Sequence, residues 1–376
     1  MTNGFDPLPG AIVYNALKDQ PLIILATNPR INIGVLEGIL GAAKSMNAVV
    51  IFELARSEAN LKGGYTGLTP EQFAKNIKDA AKKVNHPWYI LHADHITIQK
   101  GTPEELEDVR NHIRSQIKAG CSSFAIDASF LFNTKGMNEY EQLQRNIEVT
   151  TEMANFIKNS IKLKNYGLEV EVGEIGKKDS QGFVFTTVAE AKTFIETLNK
   201  NGVFPNLLAI ANGSSHGNVY DKNGNPIGKI TINIPRTIEI AQAIAPYNVK
   251  LAQHGITGTP FELIAKYFPR GMILKGNVGT HWMNIVWDTL KIFDPALYEK
   301  IWNWTIETFK PKNPGRSDEQ IFGTDGKYGI IKFYNDLYKI DAETTEAIRA
   351  TAYVEALKFL KAFNARNSVD LVKKVL

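Results

Sequence analysis

A single cysteine, Cys121, stands among 376 residues, so an internal disulfide framework and any cysteine-rich zinc ribbon are excluded. A bound metal would have to be held by His, Asp and Glu. Dense basic runs are also missing: 43 Lys and Arg against 39 Asp and Glu leave a net +4 spread along the chain, too little to grip a nucleic acid backbone. No stretch approaches the roughly 20 apolar residues that span a bilayer. Residues 1–20 lack the basic-then-apolar order of a secretory leader. These absences lead us to expect a cytoplasmic protein with no nucleic-acid or membrane partner. What remains is an ordinary globular composition, 44% hydrophobic and 22% charged, without internal repeats or low-complexity tracts.

Eight short apolar runs punctuate the first three quarters of the chain: PLIILAT (21–27), NAVVIFEL (47–54), PWYILHA (87–93), SSFAI (122–126), GLEVEVG (167–173), LLAIAN (207–212), VKLAQ (249–253) and GMILKG (271–276). Between them lie segments with helical spacing, among them 31–46, 70–84, 103–119, 139–161, 188–198 and 235–245. Thr69, Thr102 and Thr259 each precede a proline and read as capping hydroxyls at helix starts. Eight alternations of strand and helix predict an α/β fold, a (β/α)8 TIM barrel over 1–294, with an open doubly wound sheet as the alternative. From 295 to 376 the strand signal ends. Helices such as 343–363 are expected there, packed on the barrel or on a neighbouring subunit. The Gly/Asn/Ser-rich segment 213–233 is long enough to be a mobile flap.

Active-site groups of such barrels sit at the C-terminal strand ends. Those positions hold His92, Asp94 and His95 after the third strand, Asp127 after the fourth and Glu169 and Glu171 in the fifth. His216 follows the sixth, His254 the seventh and Asn277 the eighth. His95, His216 and His254 with Glu171 form a donor set for a zinc-like ion that polarises a carbonyl, although any one histidine could instead be a hydrogen-bonded rim residue. His86, His112 and His281 read as structural or surface residues, and His92 as orienting a neighbour. Glu169 and Glu171 share one strand face. They would meet either a metal or a Lys/Arg partner, and a metal is the expectation. Asp94 is a candidate general acid/base, or a carboxylate that orients a histidine ring. Gly255 to Pro260 and Asn277 to Thr280 offer backbone N–H groups and hydroxyls to a phosphate after strands seven and eight.

Six segments, LHADH (91–95), SSFAIDAS (122–129), LEVEVGEIG (168–176), NGSSHG (212–217), QHGITGTP (253–260) and KGNVGT (275–280), together resemble the class II, metal-dependent fructose-bisphosphate aldolases. The resemblance implies Asp94 as acid/base on the substrate C4 hydroxyl. It implies His95, His216 and His254 as metal ligands with Glu171 as an associated carboxylate, and a phosphate cradle of Gly217, Gly255, Thr257, Asn277 and Thr280. Asn28 and Asp127 fall at further polar positions, and Arg349 resembles an arginine that reaches a neighbouring subunit's site. The cofactor implied is a divalent metal, Zn2+ foremost, with Co2+, Mn2+ or Fe2+ as alternatives. The substrate implied is a phosphosugar, and the assembly a homodimer or homotetramer.

Departures from the family pattern fall on phosphate and proton handling. Gly279 stands where the family has Asp, and Gly255-Ile256-Thr257-Gly258 replaces a Gly-Gly-Ser-Gly run. Gly176-Lys177-Lys178-Asp179 replaces a Gly-Gly and an acidic pair, which leaves Asp179 or Glu174 to move the second proton. The expected activity is reversible aldol cleavage of a ketose phosphate. A ketose or ketose-acid C4 epimerase is the alternative, and a non-enzymatic sugar-binding protein a third reading.

Overall fold

The computed structural model describes residues 4–173, 178–179, 182–214 and 231–376, with the side chains of 178–183 outside the description. Eight strands, β1 (Ile24–Thr27), β2 (Val50–Ala55), β3 (Tyr89–Thr97), β4 (Ser123–Asp127), β5 (Gly167–Val172), β6 (Leu207–Ile210), β7 (Lys250–Gln253) and β8 (Ile273–Val278), pair in parallel in that order. β8 pairs with β1 and closes the ring, so the sheet is a (β/α)8 barrel and not an open doubly wound sheet. Two two-residue strands, Lys178–Asp179 and Gly182–Phe183, form a small hairpin after β5.

The helices are α1 (Gly10–Leu17), α2 (Val35–Met46), α3 (Pro70–Val84), α4 (Pro103–Ala119), α5 (Glu139–Ser160), α6 (Val188–Lys200), α7 (Ile234–Ile244), α8 (Phe261–Tyr267) and α9 (Thr280–Phe293). Thr69 and Thr102 cap α3 and α4 as expected, accepting from the N–H groups of Gln72 and Glu105. Thr259 does not cap α8. Pro260 is extended and itself occupies the cap position, so the threonine lies one residue too early to accept. Asn85 and Gly120 end α3 and α4 in the left-handed region that stops a helix.

Each strand turns one face to the helices and one into the barrel. The outward face feeds the main apolar core, which includes Leu25, Phe52, Leu91, Phe124, Val170 and Leu208. The inward face changes character along the axis. At the N-terminal end Ile24, Ile51, Ile90 and Leu207 meet a plug formed by α1 and by α15 (Ser368–Lys373), through Val13, Leu17, Val369 and Val372. Towards the other end it becomes polar and charged.

The C-terminal region is helical, as expected: α10 (Pro295–Phe309), α11 (Asp318–Asp325), α12 (Gly329–Lys332), α13 (Tyr334–Leu337), α14 (Ala342–Ala362) and the plug helix α15. It packs on its own barrel. α14 lies against α2, α8 and α9. A Cβ at Gly38 of α2 would stand 2.5 Å from the carbonyl oxygen of Arg349 and 2.7 Å from Ala352 Cβ, so only glycine permits this approach. No helix among the described residues is long and apolar enough to cross a membrane.

Candidate active site

The polar inward residues converge at the C-terminal mouth on one cavity of about 750 Å³. It is lined by ten of the residues singled out in the sequence: Asn28, Asp94, His95, Asp127, Glu171, His254, Gly255, Thr257, Asn277 and Thr280. His216, Gly217 and Glu174 lie outside the described residues, as does the side chain of Asp179. Residues 215–230 of the expected flap are likewise outside. Arg349 does not line the cavity. It stands on the exposed face of α14, paired with Glu346 three residues earlier on the same helix.

Alternation along β3 sends His92 and Asp94 inward and would send His95 outward. A register shift between Ala93 and Ile96 interrupts the β3–β4 pairing, and His95 adopts φ 37°, in the left-handed region. Such an irregularity re-aims a side chain. Two consecutive residues therefore face one cavity, and the His95 ring lies edge-on to that of His254 at 4.5 Å.

Below this layer sits a buried ionic network. The fully buried Lys275 ammonium lies 2.7 Å from Glu169, 2.9 Å from Glu53 and 3.7 Å from Asp94. Glu169 thus has the lysine partner that was the alternative to a metal, and only Glu171 of the pair turns towards the cavity. Glu169 also accepts from His254 Nε2 at 2.8 Å, and His92 Nε2 lies 3.4 Å from its second oxygen. That bond places the His254 proton on Nε2 and leaves Nδ1 as the lone-pair nitrogen, 3.4 Å from the Asn277 amide. His92 Nδ1 meets the Ser123 hydroxyl at 2.8 Å, a positioning role of the kind expected of it. His86 bonds the Ala48 carbonyl, His281 pairs with Glu355, and His112 is buried on the inner face of α4, so all three are structural.

Burial pushes the Asp94 carboxyl up, but His95, Lys275 and His254 outweigh it and hold it well below the usual carboxylate range. Asn28 donates to Asp94 Oδ2 at 3.1 Å and fixes its orientation. Burial, then the neighbouring Asp127, pushes Glu171 up to about 8 against the opposing pull of His95. His95 Nδ1 lies 3.2 Å from Glu171 and 3.6 Å from Asp127. Crowded carboxylates beside imidazoles are a donor set that calls for a cation.

The geometry fits one. Donor atoms of Asp94, His95 and His254 lie within 4.8 Å of one another, as do those of His95, Asp127 and Glu171. Glu53, His92 and Asp94 also cluster, but Lys275 already supplies their positive charge. Gly255 and Gly258 take φ 66° and 86°, turning the loop after β7 beneath Thr257.

Several lining residues escaped the sequence reading. Glu58 accepts from Arg30 (2.7 Å), the Tyr65 hydroxyl (2.8 Å) and the Ala55 N–H (2.9 Å), and more distantly from Asn28 (3.3 Å). Arg30 Nη1 also donates to Thr280 at 3.2 Å. A Cβ at Gly279 would stand 3.4 Å from an Arg30 guanidinium nitrogen, an ordinary contact, so Gly279 lies beside Arg30 without being required by it. Lys275, deeper in the barrel, carried a signal, a lone lysine within the apolar run GMILKG.

The model of the family described as fructose-bisphosphate aldolase class-II matches residues 12–352, nearly the whole described chain. The chain belongs to the class II fructose-bisphosphate aldolase family. Among solved structures, the YdjI aldolase from Escherichia coli K12 is 19% identical, covering 94% of this chain and 96% of its own, with a TM-score of 0.58. A fructose-bisphosphate aldolase from Campylobacter jejuni is 17% identical, covering 96% and 97%, with a TM-score of 0.61. At these identities the likeness carries the fold of the class II aldolases and not their substrates. No curated protein matches the chain.

Proposed function

We propose that this protein is a divalent-metal-dependent aldolase that reversibly cleaves a ketose phosphate, such as fructose 1,6-bisphosphate, to dihydroxyacetone phosphate and an aldehyde. The observation that carries this reading is the clustering of Asp94, His95 and His254, and of His95 with Asp127 and Glu171, at the barrel mouth. His95 and His254, joined by His216 and with Glu171 beside them, would hold the cation. A bound Zn2+, or Co2+, Mn2+ or Fe2+, supplies electrophilic polarisation of the substrate ketone.

The remaining work falls to the chain's own side chains. Asp94, held by Asn28, accepts the C4 hydroxyl proton as the C4 carbonyl forms and the C3–C4 bond breaks. The electron pair of that bond stays on C3 of the three-carbon fragment. Asp179 or Glu174 returns a proton there, which completes dihydroxyacetone phosphate. Thr257, Thr280 and the N–H groups after Gly255, with Gly217, cradle its phosphate.

The test is turnover on a panel of phosphorylated ketoses before and after dialysis against a chelator, with the triose trapped by a coupled dehydrogenase. Triose release that vanishes with the metal and returns on adding Zn2+ supports the reading. A chelated enzyme that stays active sinks it, and a six-carbon isomer as the only product replaces it with the C4 epimerase.

A further inference from the structure

Glu53, on β2, is fully buried, and neither it nor its neighbour Lys275 lines the cavity. Its two oxygens face two different donors. Oε2 pairs with the Lys275 ammonium at 2.9 Å, and Oε1 accepts from the Asn277 side-chain amide at 2.7 Å. Burial, and then Asp94, push this carboxyl up against the pull of Lys275, yet with a donor at each oxygen it stands here as an acceptor on both sides. β1 lies between β2 and β8 in the ring. Its residue level with Asn277 is Ala26, which sets only a methyl group between the two strands at that height.

Asn277, unlike Glu53, lines the cavity. Its amide nitrogen also lies 3.4 Å from Asp94 Oδ1 and 3.4 Å from His254 Nδ1, while its carbonyl oxygen is buried with no hydrogen-bond donor among the described residues. A side-chain amide has one donor end and one acceptor end, and here three acceptors surround the nitrogen. Turned round, the amide would set its oxygen against two carboxylates and lose the short bond to Glu53. An orphaned carbonyl is costly, so what holds the orientation is the nitrogen end. Donors and acceptors therefore alternate along one path: Lys275 gives, Glu53 takes, Asn277 gives, and Asp94 and His254 take.

We propose that Glu53 is a positioning residue for the cleavage, one that fixes the Asn277 amide with its nitrogen turned to Asp94 and His254. The proposal rests on the aldolase reading for its reaction, and on the hydrogen-bond geometry alone for the orientation.

Glu53→Gln keeps the shape and reverses the order. Lys275 would take the glutamine oxygen, the glutamine –NH2 would face Asn277, and the Asn277 amide would turn its carbonyl inward. For the ketose phosphate that the Zn2+-loaded wild type cleaves fastest, kcat should fall by about 10- to 100-fold with the reacting groups misplaced. KM should stay within about threefold, because Glu53 touches no ligand. Metal content per chain should match the wild type. On an Asn277→Ala background the same substitution should cost less than about twofold, since its effect passes through the amide. In the 15N–1H spectrum of the full chain, the Asn277 side-chain pair, assigned by its absence from Asn277→Ala, should move in Glu53→Gln. Melting curves establish folding, and Glu53→Asp, charged but one methylene short of Asn277, is the second variant and should show the same dependence on Asn277. Wild-type kcat in the folded variants, a change in KM alone, loss of metal in step with activity, or equal losses on both backgrounds overturns the proposal. Cleavage that neither variant alters removes the positioning role and leaves the aldolase. An amide signal that moves in a chain whose wild type cleaves no ketose keeps the hold of Glu53 on Asn277 and removes the aldolase.

Discussion

Imidazole chemistry at this site depends on what stands behind each ring. His254 was legible as a candidate because a strand end followed by glycine exposes it, but its tautomer was not, since Glu169 lies 85 residues away. Removing that acceptor should release the ring. Glu169→Gln is expected to weaken Zn2+ binding by about 10- to 100-fold, read by competition with a chromophoric chelator in folded protein. Asp94 makes a different prediction. Asp94→Ala should lower turnover by about 10²- to 10⁴-fold with metal content per chain retained, measured by atomic absorption. Loss of metal in step with activity would make Asp94 a ligand instead. Glu58, Arg30 and Tyr65 were invisible in the sequence because their pattern of mutual hydrogen bonds crosses loops and has no period.

At the scale of elements, strands and most helices could be read because burial imposes periods of two and 3.6 on the residues themselves. The capping threonines at 69 and 102 were legible for a local reason too, a hydroxyl three residues from the N–H it accepts. Thr259 failed because proline can stand at the cap as well as after it. What no period announces is the irregularity in β3 that turns His95 inward, or the seat of α14 on α2. The latter gives a stability test. Gly38→Val should destabilise the fold by about 1–3 kcal/mol through overpacking against Arg349 and Ala352, seen as a lower denaturant midpoint.

Taken as a whole, the molecule disfavours a proton at two buried histidines outside the site, His86 and, more strongly, His112. Burial first, and the Arg56 charge second, push the His112 imidazole down to about 4. The unfolded chain takes up that proton near pH 6.5, so stability falls as pH drops from about 6.5 to 4, by roughly 3 kcal/mol from this group. His112→Leu should flatten that limb in denaturant titrations at successive pH values. An identical slope in both proteins would remove His112 as the cause. The barrel itself was legible at this scale because eight repeated alternations leave few topologies. The contribution of the C-terminal region to the cavity was not, since Lys327 reaches Tyr65 across more than two hundred residues and a single lysine marks nothing.

The irregular turn in β3 has one more result. Asp94 and His95 are chain neighbours, so the proposed proton acceptor and a proposed metal ligand ride on one rigid peptide unit, with α-carbons about 3.8 Å apart whatever the rest of the ring does. His254 sits across the mouth on another strand and enjoys no such tether. Breathing of the barrel on warming would therefore widen the spacing between His95 and His254 before it separated Asp94 from the ring that follows it.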